Sequence, residues 1–282
     1  MSLSPRKFTF IVLFLLPFSL KAQTVNVKEP LDSIQLLFKT IGEAKSDSEK
    51  IVYNKKIRFI FRELLNSAVS FEYAFDSLKN VGKLYAPDKS FRIINWNLPL
   101  SDGTHRFFCF IQTMDLKQKT VKLFELNDSS ENISNPEDRI LNKDRWYGGL
   151  YYKILKNEIK DKAYYTLLAL QYHNYFTSRK IIDVLSFDLG GNPQFGAPIF
   201  NADNKIKKRI VFEYSAKSGM NLKYDEKLQM IVFDHLAPRE SKYIGLYEYY
   251  GPDLSFDGFK FQKDHWFLVS NLDLRRPDQP RR

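Results

Sequence analysis

The stretch FRIINWNLPLSDGTHRFFCFIQTM, residues Phe91–Met114, decides the fold class of this chain. β-Branched and aromatic residues fill Phe91–Leu98 and Arg106–Met114, a composition typical of strands. Asp102-Gly103 lies between the two runs and is a strong turn signal. The stretch therefore predicts two consecutive antiparallel strands.

The second of these strands is apolar on both faces. Alternation divides its side chains into Phe107, Cys109 and Ile111 on one face and Phe108, Phe110 and Met114 on the other. A strand of this kind needs cover on both sides, so we expect it in a central position. Cys109 is the one cysteine of the chain, and we interpret it as a buried apolar side chain rather than a nucleophile.

The strand pattern continues towards the C-terminus, interrupted by the polar, turn-rich segment 127–143, which we expect to be a mobile loop or an internal boundary. Short strands about ten residues apart predict an antiparallel meander of about ten to thirteen strands, as a sandwich, barrel or propeller-like architecture. No internal repeat supports a full propeller. The further predicted strands are Thr120–Leu126, Trp146–Leu155, Tyr164–Tyr172, Lys180–Phe187, Phe195–Phe200, Arg209–Tyr214, Met220–Tyr224, Gln229–Phe233, Tyr243–Tyr249, Ser255–Phe261 and Trp266–Ser270.

Before Pro87 the apolar residues recur at intervals of three and four, which predicts helices. One helix is expected over Pro30–Ala44 and a second over Asp47–Ser70, with Ser46 and Glu49 spaced as in a capping box. The fold class that follows is mostly β with N-terminal helices, of α+β type.

The first 22 residues have the pattern of a secretory signal peptide. Arg6 and Lys7 precede the apolar run Phe8–Leu20, and the small residue Ala22 favours cleavage before Gln23. A membrane anchor is the disfavoured alternative, because the run is shorter than the roughly 20 apolar residues of a span. The predicted division is therefore a signal peptide (1–22), a helical segment (23–85), an antiparallel β-rich domain (86–272) and a basic tail (273–282). We expect an exported protein of the periplasm or cell surface, with no transmembrane span after cleavage.

The charge balance favours acidic partners. The chain has 43 Lys+Arg against 33 Asp+Glu, a formal charge of +10. This excess suits an anionic envelope glycan or another envelope protein. Nucleic acid is not expected, because the chain is exported and its basic residues are dispersed. The densest basic groups are Lys205, Lys207, Lys208 and Arg209, and, on one helix face, Lys55, Arg58 and Arg62.

Six stretches carry a resemblance to a known group of proteins. They are YAPDKSFRIINWNLP (85–99), YYTLLAL (164–170), KIIDVLSFD (180–188), FGAPIF (195–200), KRIVFEYSAKSGMNLKYDEKLQMIVFDHLAP (208–238) and YYGPDLSFDGF (249–259). Together they resemble a family of uncharacterised exported β-rich proteins of Gram-negative bacteria, over roughly residues 85–270. The resemblance implies secretion and a single β-rich domain. Because the group has no assigned activity, it implies no catalytic residues.

Few residues point to catalysis. The chain has no G-x-S-x-G elbow, no glycine-rich phosphate loop and no metal-binding His or Cys spacing, so we expect no metal and no cofactor. Paired carboxylates could act in glycoside hydrolysis, although aspartate in tight turns more often accepts backbone hydrogen bonds. The catalytic candidates on this hypothesis are Asp188, Asp234, Asp253 and Asp257, with His235.

Exposed aromatic rings could stack on sugars, and Trp146, Tyr151, Tyr249 and Trp266 are the ligand-binding candidates. Core packing explains the same residues, because aromatic side chains are favoured in strands. The sequence thus leads to an exported, non-enzymatic binding or scaffolding protein of the cell envelope. The alternative is a glycan-acting hydrolase that uses paired aspartates, and whether the protein is an enzyme stays open.

Overall fold

The computed structural model describes residues 27–115, 117–202 and 204–273. The predicted signal peptide (1–22) and all but the first residue of the predicted basic tail (273–282) lie outside the described residues. Of the described residues, 47% are in strands and 21% in helices, and none of their sheets closes into a barrel. The prediction of a mostly β fold with helices at the N-terminal side is therefore confirmed. Within the same residues, no helix has the length and apolar character needed to cross a membrane.

Three helices form the N-terminal part: α1 (Lys28–Glu43), α2 (Asp47–Leu65) and α3 (Ala68–Phe71). At the start of α2, the Ser46 hydroxyl accepts a hydrogen bond from the Glu49 amide at 3.2 Å, as the capping pattern predicts. The Glu49 carboxylate accepts from the Lys45 amide at 2.9 Å, so the return bond lies one residue earlier than in a standard capping box. The single helix predicted over Asp47–Ser70 is instead divided between α2 and α3, because the chain is extended at Ser67.

The first sheet is built on the stretch that predicts the fold. Its strands are β1 (Gly82–Tyr85), β2 (Phe91–Pro99), β3 (His105–Asp115) and β4 (Thr120–Leu126), paired antiparallel in that order. β3 lies between β2 and β4 and is covered on both faces, as predicted. Cys109 is buried on the face towards the second sheet, and Phe110 on the face towards the helices. Burial raises the pKa of the Cys109 thiol well above its usual range.

Two further sheets of six strands follow. The second has the order β5-β9-β8-β7-β6, with β12 paired to β8, and the third has the order β11-β10-β16-β15-β14-β13. Adjacent pairs are antiparallel except β10 and β16. The bounds are β5 (Leu141–Asn142), β6 (Leu150–Ile159), β7 (Lys162–Tyr172), β8 (Thr177–Phe187), β9 (Pro193–Phe195), β10 (Phe200–Ala202), β11 (Lys205–Lys207), β12 (Ile210–Ser215), β13 (Leu222–Asp225), β14 (Met230–Pro238), β15 (Tyr250–Gln262) and β16 (His265–Val269).

Three hydrophobic cores separate four layers. Trp96 and Ile94 of the first sheet pack with the helices. The opposite face of that sheet packs on the second sheet, with Ile93 and Leu167 in one core. The other face of the second sheet packs on the third, since Leu168 and Phe233 share a core. The helices thus belong to the same stack as the sheets, and the division of the chain at residue 85 stays a prediction.

Two predicted strands are corrected by the structure. Phe195–Phe200 is not one strand, because Gly196 at φ +88° turns the chain from β9 in the second sheet to β10 in the third. Tyr243–Tyr249 is not a strand but two 3₁₀ turns, Ser241–Tyr243 and Tyr247–Tyr249. Gly245 at φ +85° lies between these turns, and a left-handed residue of this kind interrupts a strand. The aromatic residues of Tyr243–Tyr249 are typical of a strand, but this stretch pairs with no strand of the described sheets.

Candidate functional site

A cavity of about 310 Å³ opens where α2, the start of β3, the end of β7 and the segment 127–132 meet. We call it the His105–His173 cleft, after the imidazoles in its wall. Its charged lining includes Lys55, Arg58, Arg106 and Arg179. A second cavity of about 550 Å³ shares Ser130, Glu131, His173 and Arg179 with the first. The two cavities therefore adjoin one another.

His105 begins β3, and its ring lies 4.9 Å from the Tyr172 ring, centroid to centroid. Asn97 of β2 approaches the imidazole with Nδ2 at 2.6 Å from Nδ1. With the amide in this orientation it donates to Nδ1, so the proton of the neutral ring is on Nε2. Burial lowers the pKa of His105. The imidazole is thus neutral at neutral pH and carries one N–H donor.

The segment 127–132 forms one wall of the cleft and is held by hydrogen bonds to both neighbouring sheets. The Asp128 carboxylate accepts from the Phe107 amide at 3.1 Å and from the Ser130 amide at 3.1 Å. The Ser130 hydroxyl accepts from the Gly148 amide at 2.7 Å. The same Asp-x-Ser/Thr turn recurs at Asp88, Asp102 and Asp253. Asp128 and Ser130 therefore form a structural turn, although they lie beside histidines in a cavity.

Arg179 of β8 is the centre of a polar network at the junction of the two cavities. Its Nε donates to Glu213 at 2.8 Å, and its Nη1 donates to Gln171 at 3.1 Å and to the Tyr147 hydroxyl at 3.2 Å. Burial, followed by the positive charge of Arg179, lowers the pKa of the neighbouring His173. The arginine is therefore neutralised by Glu213, and His173 is neutral at neutral pH.

Two other cations of the cleft lack a carboxylate partner. Arg58 binds Glu125 at 2.6 Å, but neither Lys55 nor Arg106 has an ion pair within residues 27–115, 117–202 and 204–273. Both of these side chains are exposed at the cleft. The cleft consequently offers two unpaired positive charges together with the aromatic side chain of Tyr172.

The predicted acidic candidates lie elsewhere, and none lines either cavity. Each accepts a backbone hydrogen bond: Asp188 from Asn192 (2.8 Å), Asp234 from Asn221 (2.8 Å), Asp253 from Ser255 (3.0 Å) and Asp257 from Asn271 (2.9 Å). The β14–β15 register places Asp234 and Asp257 on opposite faces of the sheet. The structure therefore does not bring this pair together.

His235, the fifth catalytic candidate, forms an ion pair with Asp257, and Nδ1 lies 2.7 Å from Oδ2. The hydrogen bond from this carboxylate raises the pKa of His235. The imidazole is half-exposed and lies outside both cavities. Among the described residues, no group of three or more His, Cys, Asp or Glu side chains is arranged to hold a metal ion.

Three of the four aromatic candidates are core residues. Trp146 is buried and its indole N–H donates to the Tyr151 hydroxyl at 2.7 Å. Trp266 is also buried and donates to Thr166 at 3.1 Å. Tyr249 is half-buried, and its ring stacks on Tyr243 at 4.1 Å. The rings of Trp146, Tyr151 and Trp266 are therefore out of reach of a surface ligand.

The basic cluster at 205–209 is mostly occupied in holding the chain. Lys207 forms an ion pair with Glu137 at 2.7 Å, and Lys208 donates to the Asp138 carbonyl at 2.8 Å. Arg209 is buried against Asp183 at 2.9 Å. This cluster thus fixes the second half of the segment 127–143 and leaves little free charge for a partner.

The sequence contains partial signals for the cleft, but only the fold combines them. The polar segment 127–143 and the basic face of α2 stand out in the sequence. His105 and His173, however, are 68 residues apart in the chain, and nothing in the sequence connects them. Their shared cavity follows from the stacking of the first two sheets. Of the known protein families, curated proteins and solved structures compared with this chain, none matches it.

Proposed function

We propose that this protein is an exported, non-enzymatic binding protein that holds an anionic glycan of the cell envelope in the His105–His173 cleft. The observation that carries the proposal is the pair of unpaired cations, Lys55 and Arg106, at a cavity that also exposes Tyr172. Such cations attract carboxylate or phosphate groups, and an exposed aromatic ring suits the apolar face of a sugar. The excess of basic residues, which stays positive without Arg6, Lys7 and Lys21 of the predicted signal peptide, and the resemblance to exported proteins support the same conclusion.

Binding is favoured over glycan hydrolysis because the cleft lacks a free pair of carboxylates. Asp128 already accepts three hydrogen bonds, from Phe107 and twice from Ser130. Of the two carboxylates that line the cleft, only Glu131 then lacks a hydrogen-bond donor among the described residues, and hydrolysis by the usual mechanism uses two free carboxyl groups. In this proposal the face-to-face sheets serve as a sandwich-type scaffold that keeps the cleft in shape, in the periplasm or at the cell surface.

Isothermal titration calorimetry with trigalacturonic acid and with a neutral galactose trimer tests the proposal. We expect the wild-type protein to bind the acidic trimer and not the neutral one. The double variant K55E/R106E should lose at least about tenfold in affinity, because it replaces two attractive charges by two repulsive ones.

The matched control is K117E/K227E, which changes the net charge equally at exposed positions in the β3–β4 and β13–β14 turns. This control should bind the acidic trimer like the wild type. The proposal is contradicted if the wild-type protein does not bind the acidic trimer, or if K55E/R106E binds it as tightly as the control does.

A further inference from the structure

We infer that anion binding in the His105–His173 cleft is coupled to protonation of its two histidines, so that the cleft holds an anionic ligand more tightly in acid than at neutral pH. The inference rests on the proposed function and adds to it the regulation of the same site. Its basis is geometric: two half-buried imidazoles from different strand ends line one cavity with the unpaired cations Lys55 and Arg106.

His105 is held in its neutral form by its surroundings. The Asn97 amide occupies Nδ1 at 2.6 Å, so protonation of that nitrogen would place two donors against each other. The charged side chains that line this cavity are Lys55, Arg58, Arg106 and Arg179, with the carboxylates of Asp128 and Glu131. Because four of these six groups are positive, they oppose a further positive charge on His105.

His173 has a more balanced environment. Arg179 from β8 disfavours its protonation, and Glu213 from β12 and Glu131 from the segment 127–132 favour it. Glu213 has the larger effect of the two carboxylates, but it is already bound to Arg179 at 2.8 Å, and Glu131 adds a second, smaller counter-charge. His173 therefore takes up a proton more readily once an additional negative charge enters the cavity.

A bound carboxylate or phosphate supplies that charge. It favours the imidazolium form of both histidines, because an opposite charge nearby raises a histidine pKa. By linkage, a ligand that raises the pKa of a group binds more tightly when that group is protonated. A rise of one unit in the pKa of one histidine corresponds to about tenfold in affinity on the acid side of the transition.

The experiment measures trigalacturonic acid affinity at about pH 5 and about pH 7.5, at one ionic strength, for the wild type, H105Q/H173Q and the control H265Q. His265 lies outside both cavities, and its Nδ1 is 3.1 Å from the Lys263 carbonyl oxygen. The ligand itself stays fully ionised over most of this range. We expect wild type and H265Q to bind about tenfold more tightly at the lower pH, and H105Q/H173Q to show less than about twofold change.

A second readout separates histidine protonation from a structural effect. In the wild-type protein, the Cε1 proton resonances of His105 and His173 should titrate at higher pH when trigalacturonic acid is present than when it is absent. Equal wild-type affinity at both pH values, or an unchanged pH dependence in H105Q/H173Q, overturns the coupling and leaves the proposed function standing. If the wild-type protein binds trigalacturonic acid at neither pH, both the coupling and the proposed function are overturned.

Discussion

Two ion pairs join β8 to β12 and the residue before it, and their surroundings differ greatly. Arg179 of β8 faces Glu213 of β12 across a registered pair, with side chains 16% and 19% exposed. Four residues further along β8, Asp183 faces Arg209, which directly precedes β12, with side chains 1% and 0% exposed. The chemical groups are the same, but one pair lies at the open cleft and the other in the interior.

The difference shows how burial changes what an ion pair does. At the cleft, Arg179 completes its hydrogen bonds with Gln171 and Tyr147 and stays beside solvent. In the interior, Arg209 Nη2 has no hydrogen-bond partner, and burial raises the pKa of Asp183 although Arg209 counteracts the rise. The buried pair therefore carries a large desolvation cost and tolerates no loss of one partner. The cleft pair keeps some contact with solvent and complete hydrogen bonds, so its desolvation cost is smaller.

The largest test of this contrast removes one member of the buried pair. R209M should lower the free energy of unfolding by about 3–5 kcal/mol, because it leaves Asp183 buried without a counter-charge. Urea denaturation followed by circular dichroism measures the change. The double variant D183L/R209M should recover most of the loss, because it removes both charges. Equal stability of R209M and wild type would show that the interior is more hydrated than its burial indicates.

The backbone around the buried pair offers a second test. A Cβ at Gly196, where φ is +88°, would lie 2.6 Å from the Arg139 carbonyl oxygen and 3.4 Å from Arg209 Nη2. G196A should therefore cost about 2 kcal/mol or more, from backbone strain and steric overlap together. Thermal unfolding of G196A and G245A measures the difference.

Gly245 is a matched control, because its φ is +85° and no atom lies within 4 Å of a Cβ placed there. G245A should show the backbone cost alone, about 1 kcal/mol. If both variants lose the same stability, the close packing against Arg139 and Arg209 contributes nothing.

The cleft pair is tested by binding rather than by stability. E213Q keeps one hydrogen-bond acceptor for Arg179 but removes the negative charge and the acceptor of Thr177, so it should lower the unfolding free energy by about 1–2 kcal/mol, less than R209M. It should raise the affinity for trigalacturonic acid by about two- to fivefold, because Arg179 becomes available to the anion. Calorimetry measures the affinity, and an unchanged or lower value would mean that Arg179 does not face the ligand.

A third pair, His235 with Asp257, gives the smallest effect and extends the comparison to the surface. The pKa of His235 is raised in the folded state, so the pair stabilises the fold below the unfolded-state value of 6.5 and loses this effect as pH rises through the folded-state pKa. The side chain is 48% exposed, so the contribution is below about 1 kcal/mol. The stability difference between wild type and H235Q should therefore appear at about pH 5.5 and vanish at about pH 8.5, whereas H265Q should show no such change.

The sequence by itself determined the local elements and their order. Periods of three and four before Pro87 specify the helices, and the change to a period of two specifies strands from Phe91 onward, because each period follows from backbone geometry within a few residues. The two-faced apolar pattern around Cys109 also specified a strand covered on both sides. Where a local rule was misleading, as in Tyr243–Tyr249, aromatic content imitated a strand that has no partner.

Only the tertiary structure decided which polar residues meet. His105 begins β3, whereas His173 and Arg179 flank the β7–β8 connection, and they share a cavity because the first two sheets stack and α2 packs on the other face of the first. The aspartates that look like a catalytic set are instead spread over separate sites, Asp234 and Asp257 on opposite faces of one sheet, and each accepts a hydrogen bond from a backbone amide. Sheet stacking depends on contacts between residues far apart in sequence, and no local pattern encodes the resulting neighbours.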